Sequence, residues 1–576
     1  MISCRLEIPM EGYNEVLRGA MEIPGWHYVV GMVMLWMLFL YKFLEFHFFQ
    51  DLFTAFRGSP VSLTYHSSSP IYHHIVSNCP ILLGRHLTTP WLCSPHVQTT
   101  FINFFGRPPP FSYRREMFHA SDGGTIALDW LTRSDVTGGP VHNNHSIRKN
   151  DRSPIMAVIP GLTSDSASPY LQQLAFCSAK RGWDVVIINH RGLGGISITS
   201  DCFYNAGWTE DVRDVNGYLH QKYPEAPLFL VGTSIGANIL VKYLGEHGED
   251  VPVAGAVAVC SPWDLLIGSR FIARRLVQKL YDRALTIGLQ GYAQLHQNRY
   301  SRLADWEGIR KSRSIRDFDM YATCLVGKYE TVDTYYRRCS SSPYVGSVSV
   351  PLLCIGALDD PVCTVEAIPW DECRANKNVV LAMSQHGGHL AFFEGITASS
   401  LWWVRAVNEF LEVLHGSPLM HKQKKEHNNS SHPTMQSSID HAPYISVSDG
   451  MVAAMGNEQT SADLVVESSR KEETEKKQEA DECISEGTHM LTKEEKSNSY
   501  SSAPDSSEEV KKPDKQQHVD VDNKLIRKCL AQLCRHNKMV IWLLMYIAMF
   551  SSWPLVGAAL KLFGRKAKKG PTLDKI

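Results

Sequence analysis

Short apolar runs alternate with helical patterns through residues 60–415, and this alternation constrains the fold more than any other feature of the chain. The runs are rich in Val, Ile and Leu, and each is followed by a segment with helical spacing. Such runs are typical of parallel strands that are buried on both faces and joined by helices. The pattern therefore predicts an α/β domain with a doubly wound, mostly parallel sheet. The runs are SPIMAVIP, WDVVIINH, PLFLVG, VAGAVAVC, VPLLCIGA and NVVLAMS.

The alternation is interrupted once, between Ser261 and Val350. This stretch carries mainly helical spacing, as in FIARRLVQKLYDRAL, and contains no clear strand pattern. We therefore predict one domain over residues 60–415, with residues 261–350 inserted into it as a helical cap.

Composition divides the rest of the chain. The whole is 44% hydrophobic, which excludes a wholly disordered protein, but residues 416–530 are rich in Lys, Glu, Ser, Asp and Gln and almost lack aromatic residues. Such a segment cannot bury enough apolar surface to offset its chain entropy, so we predict a disordered linker there.

A net charge of −1 gives no electrostatic support for nucleic-acid binding. The 14 cysteines include no CxxC pair, which favours free thiols over a disulfide framework or zinc ribbon.

An apolar run near the N-terminus is long enough to cross a bilayer. Residues 23–41 carry no charge, and Trp26 and Tyr41 lie near the ends, where an aromatic belt would lie. The acidic residues upstream argue against a cleaved signal peptide. The alternative is a buried core helix. We predict that residues 1–59 contain a membrane-anchor helix at about 23–44.

A second apolar run occupies about residues 539–560, within a C-terminal region, 531–576, that ends in a basic tail. Basic residues flank the run equally, so they predict no orientation. It fits a second span, or a re-entrant or surface-lying segment broken at Pro554. We expect a membrane location, single- or double-pass, with the endoplasmic reticulum as a candidate organelle.

The strongest chemical signal is the pentapeptide at 232–236, Gly-Thr-Ser-Ile-Gly. PLFLV precedes it as a strand and ANILVKYL follows it as a helix, which is the setting that a nucleophile elbow requires. Its glycines let strand and helix approach closely, and the helix N-terminus favours developing negative charge. This context predicts Ser234 as a nucleophile rather than part of an ordinary glycine-rich turn.

A serine nucleophile needs a histidine base and an acid that orients it, and in this fold class both follow the serine along the chain. His389 is favoured over His386 because a glycine pair precedes it. Asp359 and Asp360 end a predicted strand, and because neighbouring side chains point in opposite directions only one can reach the histidine. Asp264 is a rival acid.

The tetrahedral oxyanion needs backbone N–H donors. The residue after the nucleophile, Ile235, supplies one, and Leu162 in the first strand-to-helix loop supplies the other. The histidine pair has no carboxylate or cysteine cluster beside it, so we predict no metal site, and no cofactor is indicated.

Six separated motifs occur in order: Ser94-Pro95-His96-Val97-Gln98-Thr99, Pro160-Gly161-Leu162-Thr163, Asn189-His190-Arg191-Gly192, Gly232-Thr233-Ser234-Ile235-Gly236-Ala237-Asn238, Asp359-Asp360-Pro361 and Gly387-Gly388-His389. Over residues 60–415 the chain thus resembles the α/β-hydrolase-domain family called AB hydrolase family 4, nearest its membrane-anchored medium-chain phospholipase group. The resemblance implies an α/β-hydrolase fold, with Ser234 as nucleophile, Asp360 as acid and His389 as base. The long polar tail and the run at 539–560 depart from that group.

The resemblance also implies a membrane-anchored serine hydrolase that cleaves acyl esters of lipids in the manner of a phospholipase A1. Its expected partners are a membrane lipid substrate and the bilayer, with no nucleic acid; the oligomeric state is not predicted. One alternative is a monoacylglycerol or neutral-lipid esterase, or an acyltransferase, that uses the same three residues. Another is a non-catalytic membrane scaffold whose polar tail carries partner motifs.

Overall fold

A computed structural model describes residues 24–43, 57–102, 107–108, 110–136 and 152–423. The predicted disordered linker beyond residue 423 and the predicted apolar segment at 539–560 lie outside these residues.

The described residues form thirteen strands: β1 (Ser59–Pro60), β2 (Ser62–Tyr65), β3 (Arg85–His86), β4 (Arg114–His119), β5 (Thr125–Leu131), β6 (Ile155–Ile159), β7 (Asp184–Ile188), β8 (Leu228–Thr233), β9 (Gly255–Val259), β10 (Leu352–Ala357), β11 (Val379–Ser384), β12 (Phe393–Glu394) and β13 (Ser400–Leu401). Nine of them form one sheet in the order β2-β11-β10-β9-β8-β6-β7-β5-β4. The strands β1–β3 and β12–β13 form two small antiparallel pairs.

The six strands from β6 to β11 are the six predicted apolar runs, and neighbours among them are parallel. The prediction of a mostly parallel sheet is therefore confirmed. Antiparallel strands complete the sheet at both edges: β2 beside β11, and the β4–β5 hairpin beside β7. The apolar-run pattern did not predict β2, β4 or β5. The strands β2 and β4 are partly exposed and lack a continuous apolar run, and in the buried β5 Asp129 interrupts the apolar residues.

Helices cover both faces of the sheet, as its two-sided burial requires. Alternate side chains of each strand enter two large apolar clusters, one on each face. The first cluster includes residues of helices Pro169–Lys180 and Trp402–His415, and the second those of Glu210–Lys222 and Ile235–His247.

The cap, residues 261–350, is helical and lies between β9 and β10. It packs through its own aromatic clusters onto the segment after β7, where the rings of Phe203 and Tyr300 lie 4.6 Å apart. A π-helical turn, Asp319–Thr323, interrupts it. Its α-helices are Leu265–Ile272, Leu276–Leu295, Gln297–Leu303, Trp306–Lys311, Ile315–Phe318, Cys324–Gly327 and Val332–Cys339.

Shorter helices connect the remaining elements. Pro95–Phe101 matters most, because it packs beside the predicted histidine loop. The other short α-helices are Pro70–His74, Pro80–Leu83, Arg133–Val136 and Trp370–Ala375, and the 3-10 turns are Val76–Asn78, Pro90–Leu92, Gly248–Asp250, Ser342–Ser347 and Val365–Ala367.

A helix does form near the N-terminus, at Gly25–Phe43, within the segment predicted to cross a membrane. In the described part of the chain, however, no helix combines the length and the apolar character that a membrane crossing needs. The membrane-anchor helix predicted at about 23–44 is therefore not confirmed. Large apolar side chains of this helix are nonetheless exposed, Met32 by 73% and Leu35 by 68%.

Candidate active site

Ser234 lies between the end of β8 and the helix Ile235–His247, in a strained backbone conformation. Its φ is 53° and its ψ −122°, and its N–H donates to the carbonyl of Val259 at 2.8 Å. A non-glycine residue in such a region costs on the order of 1–3 kcal/mol, and surrounding structure must maintain it. The serine is therefore held at a sharp strand-to-helix turn, as the pentapeptide predicted.

The two glycines of this turn are required by packing. A Cβ on Gly232 would collide with the backbone of Gly236 and Ala237. A Cβ on Gly236 would collide with the carbonyl oxygens of Ile159 and Pro160. Strand and helix can therefore meet at Ser234 only if both positions lack a side chain.

His389 connects Ser234 to a buried carboxylate. Its Nε2 lies 3.0 Å from Ser234 Oγ, and its Nδ1 lies 2.9 Å from Asp360 Oδ2. The other carboxylate oxygen of Asp360 accepts the N–H groups of Val362 and Cys363 at 2.8 and 2.9 Å. Since an ionised carboxylate only accepts, Nδ1 carries the proton and Nε2 is free to accept the serine proton.

Asp359 points away from this chain of hydrogen bonds and holds the histidine loop instead. Its Oδ1 accepts the N–H groups of both glycines that precede His389, at 3.0 and 2.9 Å, and its Oδ2 lies 3.1 Å from His386 Nδ1. The structure therefore brings Asp360, not Asp359, to the histidine. The rival Asp264 accepts an N–H at the start of its own helix as an N-cap.

Thr99 is a site residue to which the sequence assigned no role. Its Oγ1 accepts the N–H of His389 at 2.9 Å and donates to the carbonyl of Pro95 at 2.7 Å. Gly388, with φ +57°, lies so close that a Cβ there would approach both of these oxygen atoms. The segment 94–99 was noted only as a matching motif, and its threonine holds the backbone of the histidine.

The loop that carries Leu162 leaves one backbone donor available. The N–H of Gly161 donates to the hydroxyl of Tyr170, and that of Thr163 donates to the hydroxyl of Tyr204, both at 3.2 Å. Among the residues the structure describes, none accepts the N–H of Leu162. This residue lines the same cavity as Ser234 and is therefore placed to donate to a bound substrate.

His190 contacts the loop that carries Leu162. Its Nε2 donates to the carbonyl of Pro160 at 2.9 Å, and its ring stacks on Tyr204 at 4.3 Å. Desolvation by burial lowers the pKa of His190, which keeps the ring neutral. Ile235 also lines the cavity, and its N–H opens a helix, so no earlier helical carbonyl accepts it.

A cavity of about 680 Å³ opens at Ser234 and His389. The cap supplies most of its walls, which are predominantly apolar; they include Leu265, Ile272, Leu280, Leu289 and Phe318. Pockets that enclose small apolar ligands commonly have volumes in this range, roughly 300–1,000 Å³. The cavity therefore suits a hydrophobic chain beside the serine.

A smaller part of the cavity wall is polar. Asp319, on the π-helical turn, accepts hydrogen bonds from Thr323 Oγ1 at 2.6 Å and Tyr336 Oη at 2.7 Å. Desolvation by burial raises the pKa of Asp319 to about 6. Arg283 and Arg316 line the same cavity, so its cap end combines hydrophobic walls with charged groups.

Three potential metal ligands, Cys260, Asp360 and His389, lie within 4.8 Å of one another. Burial raises the pKa of the Cys260 thiol well above its ordinary value, so the thiol stays protonated and is a poor ligand. Asp360 and His389 already bind each other. This cluster therefore fits a hydrogen-bonded site better than a metal ion. The ten cysteines that the structure describes are thiols, with no disulfide among them, and seven are buried.

The architecture and the site define a class of protein. A mostly parallel sheet with a strained serine between strand and helix, hydrogen-bonded to a histidine, is characteristic of α/β hydrolases. A family model described as the alpha/beta hydrolase fold matches residues 154–396. The chain belongs to this family, in the group that contains the ABHD3-type phospholipases, and it is an ester-hydrolysing enzyme.

Three relatives illustrate the similarity. The phospholipase ABHD3 of Homo sapiens is 31% identical over 345 residues, which cover 59% of this chain and 82% of that protein. The embryogenesis-associated protein EMB8 of Picea glauca is 34% identical over 339 residues, 57% of this chain and 72% of that protein. A monoacylglycerol lipase of Saccharomyces cerevisiae is 25% identical over 358 residues, 56% and 79% of the two chains.

Among solved structures, an esterase of Pyrococcus furiosus is 18% identical and covers 54% of this chain and 98% of its own. The TM-score is 0.35.

Proposed function

We propose that this chain is a serine hydrolase of lipid acyl esters, in which Ser234 is the nucleophile, His389 the general base and acid, and Asp360 the carboxylate that orients the imidazole. The observation that carries the proposal is the unbroken series of hydrogen bonds from Ser234 through His389 to Asp360, at the mouth of an apolar cavity. We further propose that residues 60–415 act as one catalytic domain with residues 261–350 as its cap.

The reaction follows from the geometry. Ser234 Oγ attacks the ester carbonyl while His389 Nε2 accepts its proton, and the N–H groups of Leu162 and Ile235 stabilise the oxyanion that forms. The ester C–O bond then breaks, and the imidazolium gives its proton to the departing alcohol oxygen. Water then attacks the acyl-serine while the same imidazole accepts its proton; the bond from the acyl carbon to Ser234 Oγ breaks, the imidazolium returns the proton to Oγ, and the carboxylic acid leaves.

Two lipid classes fit this site. The relatives named phospholipase, together with the arginines on the cavity wall, favour a phospholipid ester as in a phospholipase A1. The yeast relative named monoacylglycerol lipase favours a neutral glyceride as the second candidate. An acyl chain of either substrate would lie in the apolar part of the cavity.

We also propose that the enzyme works at a lipid surface. The helix Gly25–Phe43 exposes large apolar side chains, such as Met32 and Leu35, that would gain free energy on entering lipid. This proposal concerns surface contact and requires no crossing of the bilayer.

The test of the nucleophile is Ser234→Ala. Fluorophosphonates react with activated serines, so the wild-type chain should be labelled and the variant should not, because the alanine side chain lacks the oxygen that attacks phosphorus. Ser121→Ala, at an exposed serine, is the matched control and should be labelled as wild type. Full labelling of Ser234→Ala would place the nucleophile elsewhere and contradict the proposal.

The substrate class is tested by comparing the lipids of cells that carry wild type or Ser234→Ala. Accumulation of phospholipids in the variant supports the first candidate, and accumulation of monoacylglycerols supports the second. No lipid change, together with no hydrolysis by purified protein, would contradict a lipid hydrolase.

A further inference from the structure

The cap differs in charge from the rest of the chain. Residues 261–350 contain 14 Lys and Arg against eight Asp and Glu, whereas the whole chain has a net charge of −1. The element that supplies most of the cavity walls is therefore basic. An excess of positive charge around a cavity attracts negatively charged ligands.

Arg283, on the long cap helix Leu276–Leu295, is the arginine of most interest. It lines the cavity, is half-buried, and donates from Nη1 to the carbonyl of Ser312 at 2.7 Å. Within the described part of the chain, no carboxylate lies within ion-pair distance of it. Desolvation by burial and the nearby charge of Arg313 lower its pKa, and the charge of Asp282 raises it, with a lowered pKa as the net result.

Asp282, the carboxylate next to Arg283 in the chain, offsets part of its charge without forming an ion pair with it. The Asp282 side chain accepts the backbone N–H of Ile315 at 2.7 Å, and desolvation raises the pKa of its carboxyl group. This hydrogen bond joins the long cap helix to the segment that carries Arg316, which also lines the cavity. Arg316 keeps one partner, Asp333, at 2.8 Å, and both side chains are about half exposed. Both arginines line the cavity, as does Asp319; Arg316 has one ion-pair partner, Asp333, and Arg283 has none among the described residues.

We propose that Arg283, assisted by Arg316, binds the phosphate group of the lipid substrate, while the ester lies at Ser234. The inference rests on the proposed lipid hydrolase function and adds the residues that read the head group. A guanidinium forms paired, charge-assisted hydrogen bonds with phosphate oxygens, a geometry that neutral glycerides cannot offer. Ser234 and these arginines line one cavity, so a ligand in that cavity has access to both.

A purely structural role for Arg283 predicts something different. Arg283 donates one hydrogen bond, to the carbonyl of Ser312. The side-chain amide of Gln290 donates to the same oxygen at 3.1 Å. The arginine is therefore not the sole support of that carbonyl. If it served only packing, its loss would affect all substrates equally.

The test compares Arg283→Gln with wild type on two lipids that share one acyl chain, a lysophosphatidylcholine and a 1-monoacylglycerol. The variant should lose roughly 10- to 100-fold in kcat/KM on the phosphate-bearing lipid, as expected for a lost charge-assisted contact, and only a few-fold on the neutral lipid. Arg310→Gln, an exposed cap arginine paired with Glu307, is the matched control and should leave both activities unchanged.

The outcomes separate the two proposals. Equal losses on both lipids, or no loss on either, would overturn the phosphate-binding role of Arg283 while leaving the hydrolase intact. Fluorophosphonate labelling of Arg283→Gln at wild-type intensity would show that the fold and the serine survive. If wild type hydrolyses neither lipid, the hydrolase proposal itself fails, and the phosphate site fails with it.

Discussion

Asp359 and Asp360 are neighbours in the chain but hold different parts of the site. Asp360 binds the imidazole of His389, and Asp359 binds the two backbone N–H groups just before it. The first therefore acts on the orientation of the ring and the second on the position of the residue that carries the ring.

These two roles predict different defects. Asp360→Asn should lower kcat by roughly 10⁴-fold with little change in folding, because an amide can hold the histidine in the wrong tautomer. Asp359→Ala should lower kcat by roughly 100-fold, because the loop that carries His389 is misplaced. It should also lower the free energy of unfolding by about 1–3 kcal/mol, because two buried backbone N–H groups lose their acceptor. Hydrolysis of a soluble ester and urea unfolding measure the two effects. Identical defects in both variants would contradict this division.

Individual site residues could be predicted from the sequence where a local sequence pattern marks them. Ser234 and His389 are flanked by glycines that mark sharp turns, so both could be predicted as a pair. The choice between the two aspartates followed from a resemblance rather than from the residues. Thr99 could not be predicted, because its hydroxyl meets His389 across 290 positions of the chain and leaves no local signal.

The elbow depends on how closely two elements approach. The helix Ile235–His247 begins against the carbonyls that end β6 and open the next loop, with Gly236 at the contact. Oxygen atoms of the backbone cannot rotate away as a side chain can, so any larger residue must displace an element.

Gly236→Ala should therefore destabilise the fold by about 1–3 kcal/mol and abolish fluorophosphonate labelling, because the helix must shift from the sheet. Gly217→Ala is the matched control, in the helix Glu210–Lys222, where a Cβ would meet no atom within 4 Å. That control should gain about 0.5–1 kcal/mol of stability from helix propensity. Thermal unfolding and labelling test both, and a fully labelled Gly236→Ala would contradict the packing argument.

Strands were predictable from sequence where burial coincides with a continuous apolar run; β5 is buried throughout, but Asp129 interrupts its apolar residues and it was not predicted. The strands β6 to β11 are buried on both faces and appear as continuous apolar runs. The edge strand β4 reads RREMFH and alternates between exposed and half-buried positions, so its sequence resembles a loop more than a strand.

At the scale of the whole molecule, the exposed apolar residues are unevenly placed. Many belong to the helix Gly25–Phe43, and others lie in the catalytic region, such as Ile396 at 82% exposure. A contiguous exposed patch is the form that contact with lipid or protein usually takes.

The double substitution Met32→Asp with Leu35→Asp should weaken binding of the full chain to phosphatidylcholine vesicles by about 100-fold or more, because two apolar side chains are replaced by charges. Vesicle flotation measures the bound fraction. Ile396→Asp, which changes an equally exposed apolar residue outside the helix, should bind as wild type. If the double variant floats as well as wild type, this helix is not the lipid contact.

Residues that perform the chemistry and residues that enclose the ligand belong to different stretches of this chain. Ser234, Asp360 and His389 follow strands of the sheet, while most of the cavity wall comes from the insertion between β9 and β10. Mutations in the insertion can therefore change which molecules are admitted without altering the bond-breaking apparatus. Such a division allows paralogues to share one reaction but differ in substrate specificity. An engineer can exchange the insertion to change the substrate specificity in the same way.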